Sequence, residues 1–282
     1  MKTTLYRAVL AVLLAAGSAA QQAKAGDDPW YWDWGWKGPK KPTVDLTYGS
    51  GVLRGNAFAG DFKDIGSFEL KLGYTRMRGG PSLSIDDKFL FGAAYDDATP
   101  LKTSDGDAVG SKMIRIGFGS RGGYAYDFDA VYLYPYNEQT FSLTKMDFAR
   151  PSGLTADALN LLARYEGPLR FGYSSETGIA VGVSELIAFR AGYDLTVINP
   201  RVMFWKLAGS YLIATAGYGV ISSFGREIVN ASPQWGPIVY ALLRGAYTYA
   251  YYLAMRDKMN WPFNTEKPLT TQMAKVGVSF TF

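Results

Sequence analysis

The last nine residues of the chain, Ala274-Lys-Val-Gly-Val-Ser-Phe-Thr-Phe282, alternate between two kinds of side chain. Val276, Val278, Phe280 and Phe282 are apolar, and the residues between them are charged, small or hydroxylated. Successive side chains of a β-strand point to opposite faces of the sheet. The segment therefore predicts a strand with one apolar face and one polar face.

The same period of two recurs upstream from residue 43, in segments separated by clusters of Gly, Asp, Asn, Ser and Pro. It is clearest in residues 66–75, and in residues 88–95 it assigns Phe89, Phe91 and Tyr95 to the apolar face. We therefore predict an all-β fold, a transmembrane antiparallel up-and-down β-barrel over residues 43–282 with about ten to twelve strands.

Charged residues on the opposite parity are the candidates for the lumen of this barrel. A face that mixes both charge signs with Gly suits a wet lumen, whereas a dry core would not tolerate it. We expect an ion pair between Arg190 and Asp194, and two solvated carboxylates, Asp127 and Asp129, near Arg115. The full set of predicted lumen-facing residues is Glu69, Lys71, Arg115, Asp127, Asp129, Arg190, Asp194 and Arg244.

Residues 1–25 have the three parts of a secretory signal peptide. Lys2 and Arg7 form a positive end, an apolar run follows over 8–16, and small residues lie at 18–20 and 23–25. The apolar run is about half the length that a membrane span requires. The formal net charge of +4 falls to about +1 without this segment, so charge gives no argument for binding nucleic acid.

Residues 26–42 form a Trp- and Pro-rich segment that is periplasmic or lies at the membrane interface. Trp30, Trp32, Trp34 and Trp36 fall within seven residues, and Pro argues against a regular element. Trp favours the interface between membrane and water. The segment is predicted to be a tether before the first strand, or alternatively a docking surface for a partner or a cell-envelope polymer.

The end of the chain resembles the closing strand of bacterial outer-membrane β-barrel proteins as a class. The resemblance rests on the terminal Phe282, on the alternation before it and on the export signal at the other end. It implies a place in outer-membrane lipid, in the outer membrane of a diderm bacterium. It also implies that the barrel-assembly machinery reads Val276, Val278, Phe280 and Phe282 as an assembly signal.

The second half of the chain is ambiguous between strand and helix, so a helical insert near residues 200–256 stays open. Residues 207–225 carry no charge, and residues 235–255 carry only Arg244. We favour strands for 238–255, because apolar and polar residues keep strand parity there, and leave 202–222 undecided. A short helix is expected over 155–164 with Thr155 as its cap.

The composition excludes most catalytic sites. The chain has no Cys and no His, which removes disulfides, thiolate chemistry, His bases and the usual nucleophile pairs. Residues 117–122 fit the spacing G-x-G-x-x-G, but an alternating segment follows instead of a helix, so we expect a hairpin turn there. We predict no catalytic, cofactor or metal site, and no enzyme activity.

Two functions for a membrane barrel remain after this exclusion, beside the alternative that the chain is a secreted soluble β-domain. The first is a passive, porin-like channel for small solutes, because the predicted inner face is polar and rich in Gly. The second is a structural or accessory barrel that docks a partner through its Trp-rich segment.

Overall fold

A computed structural model describes residues 40–58, 60–79, 82–98, 108–128 and 131–282. The predicted signal peptide, Trp30 to Trp36 and Asp129 lie outside these residues. Over the described part, eight strands form one closed barrel in which each strand pairs with its sequence neighbours and β1 pairs with β8. The strands are β1 (Lys41–Gly55), β2 (Asp64–Arg78), β3 (Leu83–Asp96), β4 (Gly110–Phe128), β5 (Val131–Ala149), β6 (Arg170–Gly182), β7 (Ile187–Ile198) and β8 (Leu269–Thr281).

All eight strand pairs are antiparallel, so the connections alternate between the two ends of the barrel. The last residues of β2, β4, β6 and β8 lie at one end of the barrel, together with the beginning of β1, and few residues separate β2 from β3, β4 from β5 and β6 from β7. We call this the turn end. Longer connections over 56–63, 97–109, 150–169 and 199–268 lie at the other end, which we call the loop end.

Three helices occur among the described residues, all in loop-end connections. They are α1 (Ala156–Ala163), α2 (Phe204–Ala231) and α3 (Gly236–Asp257). The predicted cap of α1 is confirmed, since the Thr155 hydroxyl accepts a hydrogen bond from the Ala158 N–H at 3.3 Å. The strand prediction for 238–255 is wrong, because α2 and α3 form a helical hairpin inserted between β7 and β8.

The predicted fold class is confirmed, and the predicted strand count is too high. The hairpin removes the strands that were counted between 202 and 255. The predicted hairpin turn at 117–122 is also wrong, because β4 runs unbroken through these glycines. The strand continues to Phe128, and β5 follows from Val131.

Apolar side chains form a belt around the outside of the barrel. Leu90 is 68% exposed and Phe68 is 65% exposed, and Leu72, Ile114 and Val276 continue the belt on other strands. A soluble domain rarely leaves so continuous an apolar surface in water, whereas a transmembrane barrel requires it.

The outward assignment of Phe89, Phe91 and Tyr95 is wrong. All three side chains are buried in the lumen. Paired residues on neighbouring strands point to the same side of the sheet, and Phe91 pairs with Lys71, whose side chain lies in the lumen. The alternation in β3 predicted the period of the strand but not which of its faces points into the lumen, because both faces carry apolar residues.

Two strand glycines provide a test of barrel packing. A Cβ added at Gly117 would lie 2.0 Å from the backbone oxygen of Phe141, whereas one added at Gly92 meets nothing within 4 Å. We expect Gly117→Ala to lower the free energy of unfolding by about 1–3 kcal/mol, and Gly92→Ala to leave it close to wild type. Urea unfolding in detergent measures both, and equal stabilities would contradict the close approach of β4 to β5.

Candidate functional site

The inward face of the described strands carries eleven charged side chains, each at most 7% exposed. They come from all eight strands and occupy one continuous region of the lumen. The acidic members are Asp45, Glu69, Asp87, Glu138, Glu176 and Asp194, and the basic members are Lys71, Arg115, Arg121, Arg190 and Lys275. We call this set the ionic core.

Arg121 on β4 gathers the carboxylates nearest the turn end. Its Nε donates to Asp87 at 2.5 Å, and its two terminal nitrogens donate to Asp45 at 3.1 Å. Arg190 on β7 reaches the same Asp45 carboxylate at 2.9 Å, and the Thr75 hydroxyl donates to Asp87 at 2.7 Å. Four strands besides β4 are therefore tied to this one site through charged or hydroxyl groups.

Two lysines organise the rest of the ionic core. Lys71 Nζ lies 2.5 Å from Glu138 and 3.1 Å from Glu69. Lys275 Nζ lies within 3.5 Å of Glu69, Glu176 and Asp194. Glu69 joins the two ammonium groups, so the pairs form a single network instead of separate salt bridges.

Arg115 fills the space between the lysines and the loop end. Its guanidinium donates to the hydroxyls of Thr196 at 2.8 Å and Ser174 at 3.2 Å. The same group lies 5.2 Å from the ring centre of Phe91 and 5.5 Å from that of Tyr95, at distances where a cation is attracted to an aromatic face. The inward aromatic residues Phe91 and Tyr95 of β3 thus contact the Arg115 guanidinium.

Apolar layers lie on both sides of the ionic core. At the loop end, Ile65, Met146, Leu269 and Met273 pack with Leu162 and other residues of the loop-end connections. The Leu269 N–H donates to the Tyr165 hydroxyl at 3.1 Å, and burial raises the pKa of this phenol, which therefore stays neutral.

At the turn end, the second layer consists of Ile85, Ala125, Tyr134, Tyr136 and Ala180. The hydroxyls of Thr43 and Thr75 lie 2.7 Å apart on the adjoining strands. Beyond this layer, Lys41 pairs with the exposed Glu185 at 2.6 Å, and its hydrogen bond lowers the pKa of that carboxyl. Side chains thus occupy the lumen from one end to the other.

The structure brings five of the predicted lumen residues together: Glu69, Lys71, Arg115, Arg190 and Asp194. Arg190 and Asp194 do not form the expected ion pair, because Arg190 pairs with Asp45 and Asp194 with Lys275. Asp127 has the inward parity but lies exposed near the last residue of β4, away from Arg115.

Six members of the ionic core are absent from the set of lumen residues predicted from the sequence: Asp45, Asp87, Arg121, Glu138, Glu176 and Lys275. Arg121 was assigned to a turn because two glycines follow it. Glu138 lies in a run of polar residues on both parities, 137–140, so no apolar face marks its strand. The signal that could have found them is pairing, since Arg121 and Glu138 are cross-strand partners.

Arg244 is not in the lumen, which corrects its predicted place. It lies on α3, between the hairpin and the outer wall of the barrel, and is 3% exposed. Its guanidinium donates to the Tyr240 hydroxyl at 2.7 Å and to the Gly122 carbonyl at 3.4 Å. The Tyr218 ring centre lies 4.4 Å from the guanidinium carbon, so aromatic and polar groups surround the charge.

The hairpin covers an uncommon stretch of the outer wall, where outward-facing residues are polar. Asn137, Gln139 and Ser175 have the outward parity of β5 and β6 and are nonetheless buried. The Asn137 side chain donates to the Thr177 hydroxyl at 2.9 Å, and a Cβ added at Gly245 of α3 would lie 3.1 Å from Thr177. We call Asn137, Gln139, Ser175 and Thr177 the polar wall patch.

A cavity of about 30 Å³ lies between the hairpin and the wall. Aromatic side chains from both surround it, among them Phe141, Tyr173, Tyr211 and Tyr251. The Tyr251 and Ser210 hydroxyls lie 2.6 Å apart and join α3 to α2 beside it. Its volume corresponds to about two water molecules, so it offers no room for a larger ligand.

No protein-family model matches the sequence, and no curated protein matches it. The solved structures that are similar to the chain include two of low sequence identity. Neisserial surface protein A is 14% identical, with a TM-score of 0.37 over 86% of this chain and 97% of that one. Ail, the attachment invasion locus protein of Yersinia pestis, is 5% identical, with a TM-score of 0.34 over 87% of this chain and 100% of that one.

The assembly signal predicted at the end of the chain lies on the outside of β8. Val276 and Phe282 are well exposed, and Val278 and Phe280 are partly exposed. The Phe282 N–H donates to the Pro42 carbonyl at 2.9 Å, which attaches the last residue to the beginning of β1. Recognition of these side chains by the assembly machinery stays a prediction.

The ionic core predicts a large difference between buried and exposed arginines. Arg121→Met leaves Asp87 buried without its cationic partner and Asp45 with Arg190 alone, so we expect a loss of about 3–5 kcal/mol in the free energy of unfolding. Arg164→Met is the control, because that side chain is mostly exposed and pairs with Glu266 at 3.6 Å. Urea unfolding in detergent compares them, and a similar small loss in both would argue against the network.

Proposed function

We propose that the protein is an integral outer-membrane β-barrel that acts as a structural or accessory protein and does not conduct solutes. The observation that carries this proposal is the ionic core, closed between two apolar layers inside a barrel with an apolar outer belt. The proposal corresponds to the second of the two functions predicted from the sequence.

Three features support the outer membrane as the location. The belt presents Phe68, Leu72 and Leu90 outward, where lipid would remove them from water. The charged side chains face inward and the apolar ones outward, whereas a soluble domain places its charged residues on the surface. The predicted signal peptide and terminal strand agree with export and barrel assembly.

The packing of the lumen supports a barrel that does not conduct. A passive channel needs a continuous water path, whereas the eleven charged side chains of the ionic core are almost inaccessible. Ten of them form ion pairs with one another, and Arg115 is held by hydroxyl groups and aromatic rings. Barrels of about eight strands have interiors just wide enough for side chains to fill. A path for small solutes would have to separate these buried ion pairs, at a cost of several kcal/mol.

An accessory barrel implies a partner, and the Trp-rich segment before β1 remains the candidate docking element. Its four tryptophans lie outside the described residues, so the support comes from their composition alone. Trp is enriched in binding hot spots because one ring combines a large apolar area with an N–H donor. A cell-envelope protein or polymer is the partner class that the predicted location allows.

Planar-bilayer recording tests the closed lumen. We expect purified, folded protein to give no conductance steps above the background of the bilayer. The same preparation unfolded by boiling serves as the blank. Uniform steps that scale with the amount of folded protein would refute the closed barrel and restore the channel hypothesis.

Gel mobility tests membrane integration. We expect the protein in the outer-membrane fraction of a diderm host, with a compact band in unheated detergent samples that shifts on boiling. A soluble β-domain would instead be found in the periplasm or medium, without a heat-dependent shift. That result would refute the proposed location whatever the bilayer recording gives.

A further inference from the structure

We propose that the α2–α3 hairpin crosses the membrane beside the barrel, with its outer face against lipid and its tip, residues 232–235, at the turn end. The proposal rests on the proposed function, because it needs a barrel that is embedded in a membrane. It adds a contact that the barrel class does not imply, in which a loop-end insertion returns along the wall and emerges on the opposite side of the bilayer.

The contacts of the hairpin show that it runs the length of the wall. At the loop end, Lys206 Nζ donates to the Asn264 carbonyl at 3.0 Å, and Met255 packs with Val197 near the end of β7. At the turn end, the Tyr240 ring lies 5.0 Å from that of Tyr124, close to the last residues of β4. The tip therefore lies at the end of the barrel opposite to the one from which the hairpin departs.

The helices are long enough for this path. At 1.5 Å per residue, the 28 residues of α2 extend about 42 Å and the 22 residues of α3 about 33 Å. The hydrocarbon core of a bilayer is about 30 Å thick. Among the described residues, α2 is the one helix long and apolar enough to span a membrane by length and composition.

The face of the hairpin that is turned away from the barrel suits hydrocarbon. Leu212 and Phe224 on α2, and Leu242 and Tyr249 on α3, are all more than half exposed. No charge occurs between Lys206 and Arg226 in the sequence. This face continues the apolar belt of the barrel, so lipid is the occupant that its chemistry fits.

The charged residue in the middle of α3 is turned the other way. Arg244 faces the barrel wall, where Tyr240 and Gly122 accept its hydrogen bonds. A charge in a membrane helix is expensive unless it faces protein or water. If the hairpin lay in water, Arg244 could point outward without this cost. Its burial against the wall is therefore what a hairpin in a membrane requires.

Aromatic residues mark both ends of the hairpin, as they do in membrane-spanning elements. Trp205 is 82% exposed at the first turn of α2, next to Phe204. Trp235 is 63% exposed at the tip, immediately before α3. Trp205 and Trp235 are separated by the length of α2, so one can lie at each interface of the membrane at the same time.

The polar wall patch is the part of the wall where the hairpin puts protein in the place of lipid. An amide or hydroxyl group without a hydrogen-bond partner costs several kcal/mol in hydrocarbon. The hairpin excludes lipid from Asn137, Gln139 and Ser175, which are buried beneath it. The patch and the hairpin are thus two parts of one membrane-embedded interface.

Single introduced cysteines test the position of the tip, since the chain has no Cys of its own. The variants are Gln234→Cys at the tip, Ser152→Cys at the loop end and Glu185→Cys at the turn end, all at exposed positions. Each full-length variant is expressed in a diderm host and exposed to a membrane-impermeant maleimide, in intact cells and after outer-membrane permeabilisation. The heat-dependent gel shift verifies that each variant is folded.

We expect the labelling of Gln234→Cys, in intact cells and in permeabilised cells, to match that of Glu185→Cys and to differ from that of Ser152→Cys. Labelling that follows Ser152→Cys would overturn the proposal, because the hairpin would then fold outside the membrane. Labelling only after denaturation would also overturn it, because the tip would end within the bilayer. Identical labelling of Ser152→Cys and Glu185→Cys would instead refute the membrane-spanning barrel on which the proposal rests.

Discussion

The pairing of β1 with β8 is the constraint on which the rest of the structure depends. Thr43 to Gly55 pairs with Leu269 to Thr281, so the sheet closes and no strand edge is left without hydrogen bonds. A closed sheet is one of the two ways to place a backbone in hydrocarbon, where water cannot satisfy its polar groups. Closure at eight strands also fixes the diameter of the lumen, because the diameter follows the strand number.

The narrow lumen determines what the polar face of each strand can do. In a wide pore, these charges would be solvated and could act on passing solutes. In this barrel they contact one another instead, as when Lys275 on the last strand reaches Glu69 on the second. Buried ion pairs contribute little net stability relative to apolar packing, but each depends on its partner once it is buried. The lumen is therefore better understood as a core than as a passage.

The outer wall has the opposite requirement, because lipid demands apolar groups. The polar wall patch breaks this rule, and the α2–α3 hairpin restores it by packing protein against the patch. The approach is close at Gly245, where an added Cβ would lie 3.1 Å from the Thr177 methyl group and require a shift of a few tenths of an ångström. The insertion between β7 and β8 is thus part of the wall, although it comes from a connection between strands.

The sequence alone determined the period of the strands, the class of the fold and the nature of the terminal strand. Those features are local, since parity in a strand such as 274–282 can be read from neighbouring residues. The short helix after Thr155 was predictable for the same reason, because its cap lies three residues from its hydrogen-bond partner.

Only the tertiary structure decided the direction of β3, the number of strands and the place of Arg244. Phe89 and Phe91 alternate correctly in either orientation, and pairing with Lys71 decides which side they face. Residues 238–255 keep strand parity in sequence and nevertheless form a helix, because Ala, Leu and Tyr suit both elements and the polar wall patch supplies a surface for a helix to cover. Partners separated by a hundred residues or more, such as Arg244 and Gly122, leave no local signal, since the contact exists only once the barrel has closed.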